Sequence, residues 1–242
     1  MKVSLGIKKL CAWTYQELSD SYKMSDSNFD FVWTKSDKFM ADSIPKRNQR
    51  RMSNLSKLSV GLAATLTEDQ NIDHAIFSSR YGELENSTQL VESIVDKDLL
   101  SPMAFSQSVH NTSSGLYSIL KSEHCAMQAI SAGEDSFVMG LVSAYSYLKN
   151  NPGANVLYVF SDWQVPDSLK SLVDPSEHSP KAVAMILSNN QEASFNFEIQ
   201  SNKEPEAEGF KNCEGFLACL FAVDPAKTNN IPQKVNWSYR AL

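Results

Sequence analysis

Two hydrophobic rhythms alternate along this chain. Val3 to Ile7, His74 to Ser79, Val156 to Phe160 and Ala182 to Leu187 are short, dense apolar or alternating runs, the signature of strands. Between them apolar residues recur at three- and four-residue steps, as on one face of a helix. Pro45 precedes RNQRRMSNLSKLSVGLAATL, in which Met52, Leu55, Leu58 and Leu62 form one stripe, so a single helix is predicted there. After the strand ending at Arg80, Tyr81 and Gly82, the residues Leu90, Val91, Ile94, Val95 and Leu99 share a second helical face. Ser113 to Leu120 predicts a further helix and Cys125 to Ile130 a buried strand.

Phe137, Leu141, Tyr145 and Leu148 fall at helical steps, while Val138, Met139, Val142 and Ala144 make the other faces apolar. A helix buried nearly all round is expected. Asn151, Pro152 and Gly153 end it. Further on, Phe195, Phe197 and Ile199 alternate with polar residues as in a half-exposed strand, Glu204 to Glu208 is a charged connection, and Phe216 to Val223 and Val235 to Tyr239 suggest a last helix and strand. The alternation predicts an α/β layered sandwich with a largely parallel sheet, and one domain over residues 1–242.

Composition narrows the function classes. A formal charge of -6 and a pI near 5.3 disfavour nucleic-acid binding, because no element concentrates Lys and Arg into a groove reader. The basic cluster Lys46, Arg47, Arg50 and Arg51 reads as a solvated helix face, with partner docking as the alternative. No stretch reaches the roughly 18 apolar residues of a membrane span, and no secretory signal is evident, so a cytoplasmic protein is expected. Cys11, Cys125, Cys213 and Cys219 lack paired metal or disulfide spacing, and no metal or cofactor is expected.

The runs IPKRNQRRMSNLSKLSV, IFSSRYGEL, SPMAFSQSVHNTSSGLYSI and the AGEDSF helix start resemble, in that order, the short β-ketoacyl synthase-like chain length factors found with aryl polyene biosynthesis systems. The resemblance implies a thiolase-like fold, with the N-terminal half complete and the C-terminal half truncated, since only about 55 residues follow Leu187. It also implies that Glu134 occupies the position of the ketosynthase cysteine, and that the histidine pair of the second half is missing. Acyl transfer needs a tuned soft nucleophile, a base and an oxyanion site. Glu134 is expected in the first turn of the central helix, where a carboxylate gains about 0.3 to 1 kcal/mol from the helix dipole, which is a structural reason for an acid there.

The resemblance therefore implies a non-catalytic subunit with no catalytic residue of its own. Its partner is expected to be a full-length β-ketoacyl-acyl carrier protein synthase, in a heterodimer or a dimer of heterodimers, with the carrier protein reached through that partner. Glu123, His124, Cys125, Ala126, Met127, Gln128, Ala129 and Ile130 form the expected interface strand, and Phe105, Gln107, Ser108 and His110 the expected wall of the partner's acyl tunnel. For His110 the plainer reading is a satisfied hydrogen bond beside a helix capped by Asn111 or Thr112. The rival function is an autonomous acyltransferase or thioesterase using Cys125 or a serine. Adjacent His124 and Cys125 would point to opposite faces of a strand, and no GxSxG elbow, P-loop or GxGxxG is present.

Overall fold

The structure, a computed structural model, describes residues 2–14, 30–34, 42–175, 178–189, 195–200, 216, 229–231 and 236–241. Among them nine strands form a sheet: β1 (Lys2–Thr14), β2 (Asp30–Thr34), β3 (His74–Ser78), β4 (Ala126–Ile130), β5 (Val156–Asp162), β6 (Lys181–Ser188), β7 (Phe195–Gln200), β8 (Asn229–Ile231) and β9 (Asn236–Ala241). Their order is β4-β3-β5-β6-β1-β7-β9-β8, with β2 beside β1. β3 is parallel to β4 and to β5, but β6 runs antiparallel to both β5 and β1. The sheet is therefore mixed rather than largely parallel. A strand that enters from the chain start and returns through neighbouring antiparallel partners has no periodicity of its own to announce its direction.

Helices α1 (Lys46–Gln49), α2 (Asn54–Leu66), α3 (Leu84–Val95), α4 (Pro102–Ser106), α5 (Thr112–Lys121) and α6 (Ser136–Asn150) complete the described elements. The single helix expected after Pro45 is broken into α1 and α2. At the break Ser53 adopts an extended conformation and its hydroxyl accepts from Ser56 N at 2.9 Å, capping the second helix. The predicted stripe survives the break, with Met52, Leu55, Leu58 and Leu62 all buried.

The sheet separates two cores. Val156, Tyr158 and Phe160 of β5, with Val183, Met185 and Leu187 of β6, face α6. Leu157, Val159, Ala182, Ala184 and Ile186 face α2 and Tyr117 of α5. Two-sided burial explains the continuous apolar runs in the sequence. Burying a side chain such as Phe137, Leu141 or Leu148 contributes about 1.5 to 3 kcal/mol.

The open parts of the fold lie at the β4 edge. β4 was expected to be buried, yet Ala126 and Gln128 are exposed and Met127, Ala129 and Ile130 half-buried, because no strand flanks its outer side among the described residues. α6 is likewise covered on most faces but not all, with Met139 38% exposed. The apolar stripe of α3 is not buried at all: Val91 is 58%, Ile94 60% and Val95 73% exposed. Apart from the buried, helical Phe216, the expected helix to Val223 lies outside the described residues, as do Glu204 to Glu208, Cys213, Cys219 and Val235.

One close approach fixes α6 on the sheet. Tyr158 is fully buried and its hydroxyl donates to Phe137 O at 2.6 Å, which brings its ring against Gly140. A Cβ on Gly140 would sit 2.3 Å from Tyr158 Cε2. Gly140→Ala is therefore expected to lower stability by about 1 to 3 kcal/mol, read from chemical denaturation, as overpacked cores do.

Candidate functional site

The site lies where β3, β4 and β5 end and α6 begins. Gly133, with φ at 60°, opens a short 3-10 turn, Gly133–Asp135, that leads into α6. Glu134 stands in this turn, ahead of the helix rather than in its first turn as expected. Its side chain is 67% exposed and its Oε1 lies 3.4 Å from Arg80 Nη2. The Arg80 guanidinium also lies over the Tyr81 ring, 5.1 Å from its centre. Ser136 anchors the turn: its hydroxyl accepts from Ala132 N and donates to Gly133 O, while its own carbonyl accepts from buried Ser78 Oγ at 2.6 Å.

Arg80 is placed by a buried acid. Asp162 ends β5, is 4% exposed, and through Oδ1 accepts from Ser79 Oγ at 2.7 Å, Arg80 N at 2.9 Å and Tyr81 N at 3.1 Å. Burial pushes its carboxyl above the ordinary range, while these donors and Lys181, its cross-strand neighbour, pull it back. The turn after β3 thus hangs from one carboxylate. A charged residue closing an otherwise apolar strand was the sequence signal for it.

A second buried acid went unread in the sequence. Glu83, 5% exposed, accepts from Ser56 Oγ at 2.7 Å and Ser53 Oγ at 2.9 Å, and Ser56 in turn reaches Ser113 Oγ at 3.3 Å. Burial raises its carboxyl above the usual glutamate range; the Ser56 and Ser53 hydroxyls lower it, Glu85 raises it and His110 lowers it. His110 Nε2 lies 2.9 Å from Ile130 O. A carbonyl only accepts, so Nε2 carries the proton. This hydrogen bond is made across 20 residues of sequence, not locally beside the helix start. Asn111 precedes α5 without a side-chain capping bond, and Thr112 Oγ1 donates back to Val109 O.

The four expected tunnel residues lie on α4 and in the segment that follows it. Phe105 is 67% exposed on α4. Ser108 Oγ donates to Phe105 O at 2.9 Å. Gln107 lines a cavity of about 440 Å³ with Arg47, Arg51, Met52 and Ile119, so two members of the basic cluster do border a hollow. The expected interface strand begins at Ala126; Glu123, His124 and Cys125 lie ahead of it, where Glu123 Oε1 accepts from His124 N and Cys125 N. Among the described residues, burial disfavours the thiolate of both cysteines. Burial pushes the Cys125 thiol up to about 11, with Glu123 adding to it, and burial alone pushes Cys11 up to about 12. Among the described residues no cluster of three or more His, Cys, Asp or Glu side chains could hold a metal ion, and no helix is long and apolar enough to cross a membrane.

Asp162→Ala leaves three donors and Lys181 without their carboxylate and is expected to cost about 3 to 5 kcal/mol by denaturant titration. Arg80→Ala, which removes a largely exposed ion pair, should cost under about 1 kcal/mol. Glu83 has the opposite sign from a salt-bridged acid. Its raised folded value favours the protonated form, so its contribution is fullest below the ordinary glutamate range and is lost as pH rises through the folded value. Glu83→Gln keeps an acceptor for both serines and stays neutral. Its thermal stability should at least match the parent chain above neutral pH, with a flatter pH profile.

A family model for the β-ketoacyl synthase N-terminal domain matches residues 23–232. No curated protein matches significantly. Among solved structures, one chain of the ketosynthase ApeO in complex with its chain length factor ApeC from Xenorhabdus doucetiae is 25% identical, with a TM-score of 0.79 over 98% of this chain and 99% of that one. The ishigamide ketosynthase/chain length factor is 12% identical with a TM-score of 0.57; the match covers 71% of this chain and 56% of that one. The type II polyketide structure AntDE:AntF, an acyl-carrier protein with its ketosynthase, is 14% identical with a TM-score of 0.56, over 84% and 71% of the two chains. These likenesses show the thiolase-like ketosynthase fold, and the chain belongs to the β-ketoacyl synthase N-terminal domain family.

Proposed function

We propose that this chain is a non-catalytic, chain length factor-like subunit that pairs with a full-length β-ketoacyl-acyl carrier protein synthase. The partner performs the condensation, and this chain stabilises it and shapes its acyl tunnel in an aryl polyene or type II polyketide-like system. The observation that carries the proposal is the β4 edge, which has no outer strand among the described residues, together with exposed Met139 of α6 and the exposed apolar residues of α3 and α4. An edge with free backbone groups and greasy neighbours is stable only when another chain covers it. The structural likeness to the ApeO and ApeC complex supports this reading, because the matched chain there is nearly the same length. Likeness to structures that hold a ketosynthase with a chain length factor, or with an acyl-carrier protein, supports the partner class.

Chemistry points the same way. The turn that in the family's active members supplies a thiolate here supplies Glu134, held by Arg80 and open to solvent. The rival enzyme reading uses a serine or Cys125 as nucleophile. With its thiol near 11, about one molecule in ten thousand would hold a thiolate at pH 7. Alkylation of Cys125 by iodoacetamide should therefore be slow at neutral pH and keep rising to pH 9 without a plateau. A plateau near pH 7 would favour the enzyme instead.

Co-expression with a full-length β-ketoacyl-acyl carrier protein synthase from the same genome should yield a one-to-one complex. Met139→Asp places a charge on the open flank of α6, and should leave the stability of the isolated chain within about 0.5 kcal/mol. It is expected to weaken the complex by about a hundredfold or more, measured by titration of the two purified chains. A complex insensitive to Met139→Asp would place the contact elsewhere.

A further inference from the structure

The chain from Leu84 to Asn111 leaves the body of the fold and returns to it without burying a single residue. It holds α3 and α4, which are tied to each other: Asn86 Nδ2 donates to Ala104 O at 3.0 Å and Ser87 Oγ to Ser108 O at 3.4 Å. An excursion with so little covered surface has no core to set its direction. Its two ends do. They meet at one polar cluster, Glu83 at the start and His110 at the finish.

That cluster is over-determined for a turn. Glu83 is drawn into α2 by the hydroxyls of Ser53 and Ser56, and Ser56 reaches on to Ser113 in α5. His110 donates to Ile130 O, the last carbonyl of the open strand, which also accepts from Ser79 N at 3.1 Å. The other face of the imidazole is seated on Gly82: a Cβ there would come within 2.6 Å of His110 Nδ1, and Gly82 has φ at 56°. Only glycine permits both the backbone turn and the ring. Three elements are thereby joined at the root of the excursion: the N-terminus of α2, the N-terminus of α5 and the end of β4. A buried carboxylate is costly unless its acceptors are filled, so a broken Glu83 network would not be neutral.

We propose that Glu83 and His110 form a latch that fixes the angle at which the α3–α4 arm leaves the body, which makes Glu83 a positioning residue for the surface that meets the synthase. The proposal rests on the subunit reading above. The arm carries Phe105, Gln107 and Ser108, and its apolar face is exposed, so its angle decides how deeply it reaches into a partner. A latch at the root sets that reach without touching substrate. Acyl length would then be governed in part by a buried acid at the root of the arm.

The test compares Glu83→Ala, which removes the acceptor, with Glu83→Gln, which retains it. In the isolated chain, amides of residues 84–110 should exchange about tenfold faster in Glu83→Ala than in the parent, with β5 and β6 amides unchanged, and Glu83→Gln should behave as the parent. In the complex with the synthase, Glu83→Ala should broaden the distribution of acyl lengths formed, while Glu83→Gln should restore it. Parent-like arm exchange in a folded Glu83→Ala overturns the latch, as does an unaltered product distribution in a complex that forms. If Glu83→Ala does not fold, His110→Ala, which cuts the tie to Ile130 and empties the seat on Gly82 while leaving the serine bonds of Glu83 in place, decides by the same arm exchange. Failure of the parent chain to bind the synthase would defeat the subunit reading, while exchange in the isolated chain still decides the latch.

Discussion

An uncovered sheet edge is the constraint around which this molecule is arranged. β3 and β5 bury every residue because the sheet has helices on both faces and strands on both sides of them. β4 has the same parallel pairing to β3 on its inner side and no strand on its outer side among the described residues. The strand's side chains are Ala126, Met127, Gln128, Ala129 and Ile130, with no charged residue or proline among them. Edges that face solvent permanently are blunted by charge or by bulges. This one is not, and the simplest physical account is a second chain completing the sheet.

In the proposed reading, surface takes the place of chemistry at the start of α6. A thiolate at the start of a buried helix is stabilised by the helix amides and needs little else to stay ionised. A glutamate in a 3-10 turn, paired to Arg80 and largely exposed, is held by an exposed ion pair instead. The scaffold beneath it is intact: Asp162 still suspends the Ser79 to Tyr81 turn, Ser78 still fixes Ser136, and Tyr158 still locks α6 through Phe137. What persists is the geometry that orients β4 and α6, which an interface needs as much as an active site does.

Much of the fold was legible because its core obeys simple periods. The Met52, Leu55, Leu58 and Leu62 stripe, the continuous apolar β5 and β6, and the helix from Phe137 to Leu148 each announced themselves by spacing. The failures have physical reasons too. Period says that Leu90, Val91, Ile94 and Val95 share a face, but not whether the same chain covers it. It places Ala126 to Ile130 in a strand, but cannot reveal that the strand is last in order. The Ser53 break in the long helix hinged on one hydroxyl finding Ser56 N, below the resolution of any stripe. Glu83 was invisible because its partners Ser53 and Ser56 lie about 30 residues before it, and Ser113, which bonds Ser56, about 30 residues after it.

Amide exchange at the sheet edge tests the central claim most directly. The N–H groups of Ala126 to Ile130 that point away from β3 should exchange rapidly in the isolated chain and become strongly protected when the full-length synthase is added. Unchanged exchange at those amides in a saturated mixture would contradict the account, whatever else the two proteins do together.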